Sequence, residues 1–277
     1  MQKLSVALAT FNEEENIAKC LDSIKEIADE IVIVDGGSRD RTVEIAKKYG
    51  AKVLIADNPP IFHINKQKAI DMATGDWILQ LDADEIVSTE LREEIKIVIV
   101  KSEGDPLTRS VKRNFAQDDN DVVNGYWIPR KNWFLGKFLE KGGQYPDYTL
   151  RLYRKRKGRF PQKSVHEQAV VEGKVGYLKN PLLHYPYKNF AGYLEKWNKY
   201  NLLLVDKIKN ELKDNGSIKK FMYFGGYVFL KPVHWFLNTY LRHKGFVDGW
   251  SGFVFCFFSS LRFPVSYIMY LSKEKNK

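Results

Sequence analysis

Cysteine is nearly absent from this chain: Cys20 and Cys256 are the only two among 277 residues. Two thiols build neither a disulfide framework nor a Cys-based zinc site, and they suit a reducing compartment. A Gly-rich dinucleotide fingerprint, a Walker loop and a Ser nucleophile elbow are also missing. Their absence removes the usual sequence support for a nicotinamide enzyme, a P-loop NTPase or a serine hydrolase. The opening MQKLSVALATFNEEE has an apolar run too short, and too soon broken by acids, for a secretory signal, so a cytoplasmic protein is expected. Aromatic residues are scarce at first, with Phe11, Tyr49, Phe62 and Trp77 alone in residues 1–100, whereas residues 217–272 hold 17 of the chain's 38. The first part thus has the Val/Ile/Leu/Ala make-up of a parallel-sheet core, and the last part is built differently.

Acids are in deficit as well. The 44 Lys+Arg outnumber the 34 Asp+Glu, giving +10, so an anionic partner is expected: nucleic acid, an acidic membrane face or a phosphorylated substrate. The imbalance is sharpest over residues 151–163, which carry Arg151, Arg154, Lys155, Arg156, Lys157, Arg159 and Lys163 without one acid.

What is present is a repeated strand–helix pattern. LSVALA (4–9), EIVIVD (30–35), AKVLIA (51–56) and WILQLD (77–82) are short apolar runs, separated by a helix that the Asn12-Glu13-Glu14 stretch opens and that carries Ile17, Leu21 and Ile24 at a 3.6 period, a helix over 41–48 and one around 66–73. Strands alternating with helices at this spacing predict an α/β fold with a mostly parallel sheet and right-handed crossovers. In such sheets ligands bind beyond the carboxyl ends of the strands. Asn12, Asp35 and the Asp82–Asp84 pair fall at those ends. Residues 105–185 are less regular, residues 190–213 have the pattern of an amphipathic helix, and residues 217–272 that of apolar, aromatic helical material.

Asp82-Ala83-Asp84 is the sharpest feature. Two carboxylates two apart after a buried strand suit a hard divalent cation, Mg²⁺ or Mn²⁺, which prefers oxygen ligands alongside phosphate oxygens. A solvated acidic turn is the plain alternative.

With these residues in view, the first hundred positions resemble the nucleotide-binding domain of family 2 glycosyltransferases of the GT-A fold. The resemblance rests on Ala9-Thr10-Phe11-Asn12-Glu13-Glu14, Val34-Asp35-Gly36-Gly37-Ser38-Arg39-Asp40-Arg41-Thr42 and Asp82-Ala83-Asp84-Glu85. One departure stands out: Gly36 occupies the place of the usual second acid after Asp35. Gly142-Gly143-Gln144-Tyr145-Pro146-Asp147, Leu150-Arg151-Leu152-Tyr153-Arg154, Val165-His166-Glu167, His184-Tyr185-Pro186-Tyr187 and Gly249-Trp250-Ser251-Gly252-Phe253 extend it to a bacterial subgroup. That subgroup is similar to lipopolysaccharide core β-1,4-glucosyltransferases.

The resemblance implies an inverting, metal-dependent transfer of a hexose, glucose in the nearest case, from a UDP-sugar to a lipid-linked saccharide or lipopolysaccharide core. It implies that Thr10, Phe11, Asn12, Glu13 and Asp35 line a UDP pocket. Lys66 and Arg151 would meet the diphosphate, Arg154 being a further contact, and Asp82 and Asp84 would hold Mn²⁺ or Mg²⁺. Inversion needs a base opposite the departing diphosphate; Glu167 is the first candidate and Asp147 the second. His166 is either a further metal ligand or structural. The expected organisation is a glycosyltransferase domain over 1–188, nucleotide-binding over 1–104 and acceptor-binding over 105–188, with a helical, membrane-associating extension over 189–277. Basic and aromatic residues among 219–272 suit a peripheral position on the inner face of a bacterial membrane, although 246–272 is long enough to span one. Nucleic acid is not an expected partner, and an oligomer is allowed. The competing class is a basic, non-catalytic nucleic-acid-binding protein, for which the charge is the only support.

Overall fold

The computed structural model describes residues 2–102, 122–162, 168–213 and 217–275, in two compact units. The first comprises residues 1–130 and 147–184, the second residues 131–146 and 185–277.

The first unit is built on four parallel strands: β1 (Leu4–Thr10), β2 (Glu30–Asp35), β3 (Lys52–Ile55) and β4 (Trp77–Leu81), in the order β3-β2-β1-β4. Helices α1 (Ile17–Ile24), α2 (Thr42–Lys48) and α3 (His63–Met72) connect them. The expected strands are thus found, each within one residue of its predicted ends. Helix α1 starts later than the Asn-Glu-Glu stretch implied. Asn12 takes a left-handed conformation (φ 55°), and the Glu13 carbonyl accepts from the backbone N–H of Asn16 and Ile17, so residues 11–16 form a turn. The α1 face of Ile17, Cys20, Leu21 and Ile24 is fully buried against Leu4, Val6, Leu79 and Leu81. Truncating such a side chain to Ala costs about 2–5 kcal/mol.

After β4 come β5 (Glu85–Val87), helix α4 (Thr89–Ser102) and a long strand, β6 (Val123–Phe134). A short strand, β7 (Lys137–Phe138), turns back on β6. Strand β8 (Asp147–Arg154) runs antiparallel to both β4 and β6. Strands β9 (Gly158–Arg159) and β10 (Val170–Val171) form a separate pair, β11 (Lys174–Tyr177) joins β6 in parallel, and β12 (Leu182–His184) pairs antiparallel with β5. The main order is β3-β2-β1-β4-β8-β6-β12-β5. This is the mostly parallel α/β sheet expected, with an antiparallel half in which β8 pairs with β4 over Trp77–Leu79.

The second unit pairs helix α5 (Phe190–Leu212) with α6 (Ser217–Gly225), α7 (Lys231–Leu237) and α8 (Gly249–Lys275). Between α6 and α7, and after α7, lie π-helical turns at Gly226–Leu230 and Asn238–Arg242. Asn189 caps α5 by accepting from the Gly192 N–H at 2.9 Å. Trp197 donates to the Phe258 carbonyl at 2.8 Å, locking α5 to α8. The end of β6 from Lys131 and strand β7 belong to this unit, their Leu135-Gly136 turn needing positive φ at both residues (45° and 89°). Ser251 donates to the Leu135 carbonyl at 3.0 Å, and Asp248 accepts from the N–H groups of Glu140 and Lys141 at 3.0 and 2.8 Å.

Candidate active site

The site forms where β1, β2 and β4 end. Thr10 and Asp35 are in register across β1 and β2, and Asp82 follows β4. All three are on neighbouring strands, hence within about 10 Å of one another. Asp35 is fully buried. One carboxylate oxygen accepts from the N–H of Gly37 and Ser38, the other from the hydroxyls of Thr10 and Ser38, all at 2.6–3.0 Å. A carboxylate offers about four lone-pair positions, so protein donors occupy Asp35 completely. It organises the 36–41 loop, and a ligand contact there would displace the Ser38 hydroxyl. Asn12 ties its own loop to that one: its side-chain oxygen accepts from Arg39 N at 2.9 Å and its N–H donates to Ser38 Oγ at 2.8 Å. Glu13 accepts from the Asn16 side chain at 2.8 Å. Phe11 is exposed beside these loops. At Gly36, a Cβ would lie 3.1 Å from the Asn58 side chain, so Asn58 fills the space a larger residue would take.

The second half is a charge network. The Lys66 ammonium, on α3 and buried, lies 2.5 Å from Oδ1 of Asp82. It also faces the ring of Phe62 at 4.9 Å. Arg151 Nη2 reaches Oδ2 of Asp82 at 2.7 Å and Oε1 of Glu85 at 2.6 Å, while its Nη1 donates to Gln80. Arg130 lies 3.4 Å from Glu85 and donates to Oδ2 of Asp147 at 3.0 and 2.7 Å. Burial alone would push the Asp82 carboxyl up; Arg151 and Lys66 outweigh it and hold the carboxyl well below the usual carboxylate range. Burial pulls the Lys66 ammonium below its ordinary value, with Asp82 opposing. Burial likewise opposes the Arg151 charge, but Asp82 and Glu85 raise its pKa overall. A cavity of about 220 Å³ opens onto this network, lined by Phe62, His63, Lys66, Asp82, Arg130 and Arg151. A larger hollow of about 410 Å³ lies at the amino ends of the strands, by Ser5, Glu30, Lys52 and Gly75, on the side of the sheet away from Asp82.

Asp84 stands apart from the Lys–Arg network. Its Oδ2 is 3.3 Å from His184 Nε2 at the end of β12. Among the described residues, no three His, Cys, Asp or Glu side chains converge as a ready cation cage. One or two carboxylates completed by substrate phosphates are, however, the usual way Mg²⁺ is bound, and Asp84 offers one carboxylate for that mode, with His184 beside it.

A family model described as glycosyl transferase family 2 matches residues 5–157. The chain belongs to family 2 of the glycosyltransferases. An uncharacterised glycosyltransferase of Rickettsia typhi is 30% identical over 264 residues, 92% of this chain and 82% of that protein. A lipopolysaccharide core biosynthesis glycosyltransferase, LpsC of Rhizobium meliloti, is 28% identical over 272 residues, 94% of this chain and 91% of that one. Among solved structures, S. aureus TarS 1–349 in complex with UDP is 15% identical, covers 99% of this chain and 92% of that chain, and has a TM-score of 0.46. This is therefore a glycosyltransferase, and the non-catalytic binding protein that the charge alone allowed is set aside.

Of the residues expected in this glycosyltransferase's site, Thr10, Phe11, Asn12, Glu13 and Asp35 fall in one loop cluster. Lys66, Asp82, Arg151 and Asp147 fall in one charge network. Arg154 does not: its guanidinium faces Trp77 at 4.9 Å, at the start of β4, so the basic run splits between the two ends of the strand. His166 and Glu167 lie outside the described residues. Sequence reasoning gave no role to Gln80, Glu85, Arg130 and His184. Gln80 had a signal, being a polar residue inside an otherwise apolar strand two positions before Asp82. Glu85 is local, closing the turn after β4 by accepting from the Asp82 N–H at 2.9 Å, whereas Arg130 and His184 join only through strand pairing.

Proposed function

We propose that this glycosyltransferase moves a hexose, with inversion, from a UDP-sugar to a lipid-linked saccharide or lipopolysaccharide core, at the cytoplasmic face of a bacterial membrane. The observation that carries the reading is the pairing of Lys66 and Arg151 with Asp82 beside the open cavity. Two cations held by a carboxylate at the end of a nucleotide-type sheet are preorganised for a diphosphate leaving group. The name of the R. meliloti relative supports the acceptor class.

Uracil and ribose would lie along Phe11 and the loops that Asn12 and Asp35 hold, with Thr10 and Glu13 bracing that wall. Asp84 and Asp82 would hold Mn²⁺ or Mg²⁺, which supplies charge neutralisation for the departing diphosphate. His184 is the imidazole placed beside Asp84, His166 being the one the sequence suggested. Lys66 and Arg151 would orient the diphosphate oxygens. Asp147 takes the acceptor hydroxyl's proton in this reading. It starts β8 on the face that also carries Thr149 and Arg151, since alternate strand residues point the same way. Its side chain is about a third exposed, and Arg130 fixes its orientation. Glu167 is the other candidate.

Calorimetric titration of UDP with and without Mn²⁺ tests the donor half, and a UDP-sugar panel with mass detection of released UDP names the sugar. Metal-independent, weak UDP binding together with no UDP release from any donor overturns the reading.

A further inference from the structure

The second unit carries an apolar surface along residues 217–247, a stretch without an acid; the neighbouring carboxylates are Glu211, which accepts from the Tyr223 hydroxyl at 3.0 Å, and Glu140, paired with Lys131 at 2.8 Å. Along the path from α6 through α7, Leu230, Val233, Leu237 and Leu241 are all exposed, spaced three and four residues apart on one helical face. Upstream, Phe221 is 76% exposed and Met222 is nearly as open. Past the end of the path, Phe246, Val247 and Trp250 project from the turn that leads into α8, Trp250 at 72% exposure. Soluble proteins rarely leave so many large side chains in one contiguous patch without a partner.

Charge says which partner. Residues 217–247 contain Lys219, Lys220, Lys231, Arg242 and Lys244 and no acid. The single acid within 217–272, Asp248, is turned inward, 3% exposed, accepting from the Glu140 and Lys141 N–H groups with Lys137 at 3.7 Å. Arg242, His243 and Lys244 are exposed within the same turn as Leu241 and Phe246. A second copy docking isologously would set this cationic face against itself. An anionic lipid surface satisfies both halves, since it attracts the cations and takes up the apolar groups.

We propose that this face is a monotopic docking surface for an anionic bilayer, with α6, α7 and the 241–250 turn lying in the interface. The proposal deepens the membrane-face reading above, from which it takes the location. Helix α8 is long and apolar enough to span, a third of its most apolar window being buried within the unit and Phe257 and Ile268 exposed; in this arrangement it packs on the unit by its buried face. Val254, Cys256, Ser260, Ser266 and Tyr267 on it are buried within the unit, and Arg262 interrupts its middle, over the ring of Trp235. Each cation near an anionic leaflet contributes about fivefold to partitioning, and that share is screened by salt.

The test is co-sedimentation of the full chain with vesicles of phosphatidylglycerol plus phosphatidylcholine, and of phosphatidylcholine alone. Wild type is expected to pellet with the first and far less with the second. The triple variant Leu230→Ser, Leu237→Ser, Trp250→Ser and the double variant Arg242→Glu, Lys244→Glu should each lose about tenfold or more in anionic-vesicle binding. Both alter exposed positions, so circular dichroism and calorimetric UDP binding should be unchanged. Variants that pellet like wild type overturn the proposal. So does a wild-type chain that ignores vesicles and is a dimer by light scattering which the triple variant makes monomeric; the face would then bind a second copy. Failure of the glycosyl-transfer reading is read separately, as absent UDP binding with vesicle binding intact.

Discussion

One guanidinium nitrogen, Nη2 of Arg151, serves two carboxylates at once, Asp82 at 2.7 Å and Glu85 at 2.6 Å. Glu85 is fully buried and Arg151 nearly so, whereas Asp82 keeps about a quarter of its side chain in solvent. The arrangement ties the open end of the network, at Asp82, to a buried end at Glu85.

Removing Arg151 therefore strands a buried charge. Arg151→Ala should lower unfolding stability by about 3–5 kcal/mol, partly offset by Arg130 at 3.4 Å from Glu85. Chemical denaturation measures it. A wild-type midpoint for Arg151→Ala would mean that Glu85 is reached by water.

His184 and Asp84 should act together on the cation. His184→Ala is expected to weaken Mn²⁺-supported UDP binding about 10–100-fold and Asp84→Asn at least as much, with metal-free UDP binding barely altered. Titrations of each variant with and without Mn²⁺ give the comparison. Equal losses in both conditions would remove Asp84 and His184 from the metal site.

In the proposed reaction Asp147 and Glu167 are the two candidates for the acceptor proton. Asp147→Asn should lower turnover by about 10²–10⁴-fold while leaving UDP-sugar affinity near wild type, as expected of a group used in the transition state. Glu167→Gln should cost much less. The opposite outcome exchanges the two roles.

Glu30 gives a pH signature far from the site. Burial pushes its carboxyl up, but Lys52, Ser5 and the Thr74 N–H outweigh it and bring it to about 2. A depressed carboxyl stabilises the fold fully above its unfolded value, near 4.5. That stabilisation is lost as pH falls through about 2. With the exposure of Lys52 counted, it is worth about 1–2 kcal/mol. Denaturation midpoints of wild type and Glu30→Gln should therefore converge between pH 4.5 and 2, the variant being the flatter curve.

Local pattern determined much of this protein. The apolar runs LSVALA, EIVIVD and WILQLD were readable as parallel strands because burial on both faces demands unbroken Val, Ile and Leu, and Asp82-Ala83-Asp84 was conspicuous because two carboxylates at the end of such a run suit a divalent cation. Its ordered motifs were enough to name the family. Tertiary structure alone decided how the charges are shared. Arg151 and Arg154 look alike in one basic run, yet the antiparallel pairing of β8 with β4 sends the first to Asp82 and the second to Trp77. Arg130 and His184, 46 and 100 residues from Asp84 in sequence, reach the site through β6 and β12. Strand register sets those distances, and register depends on the partner strand as much as on the strand itself.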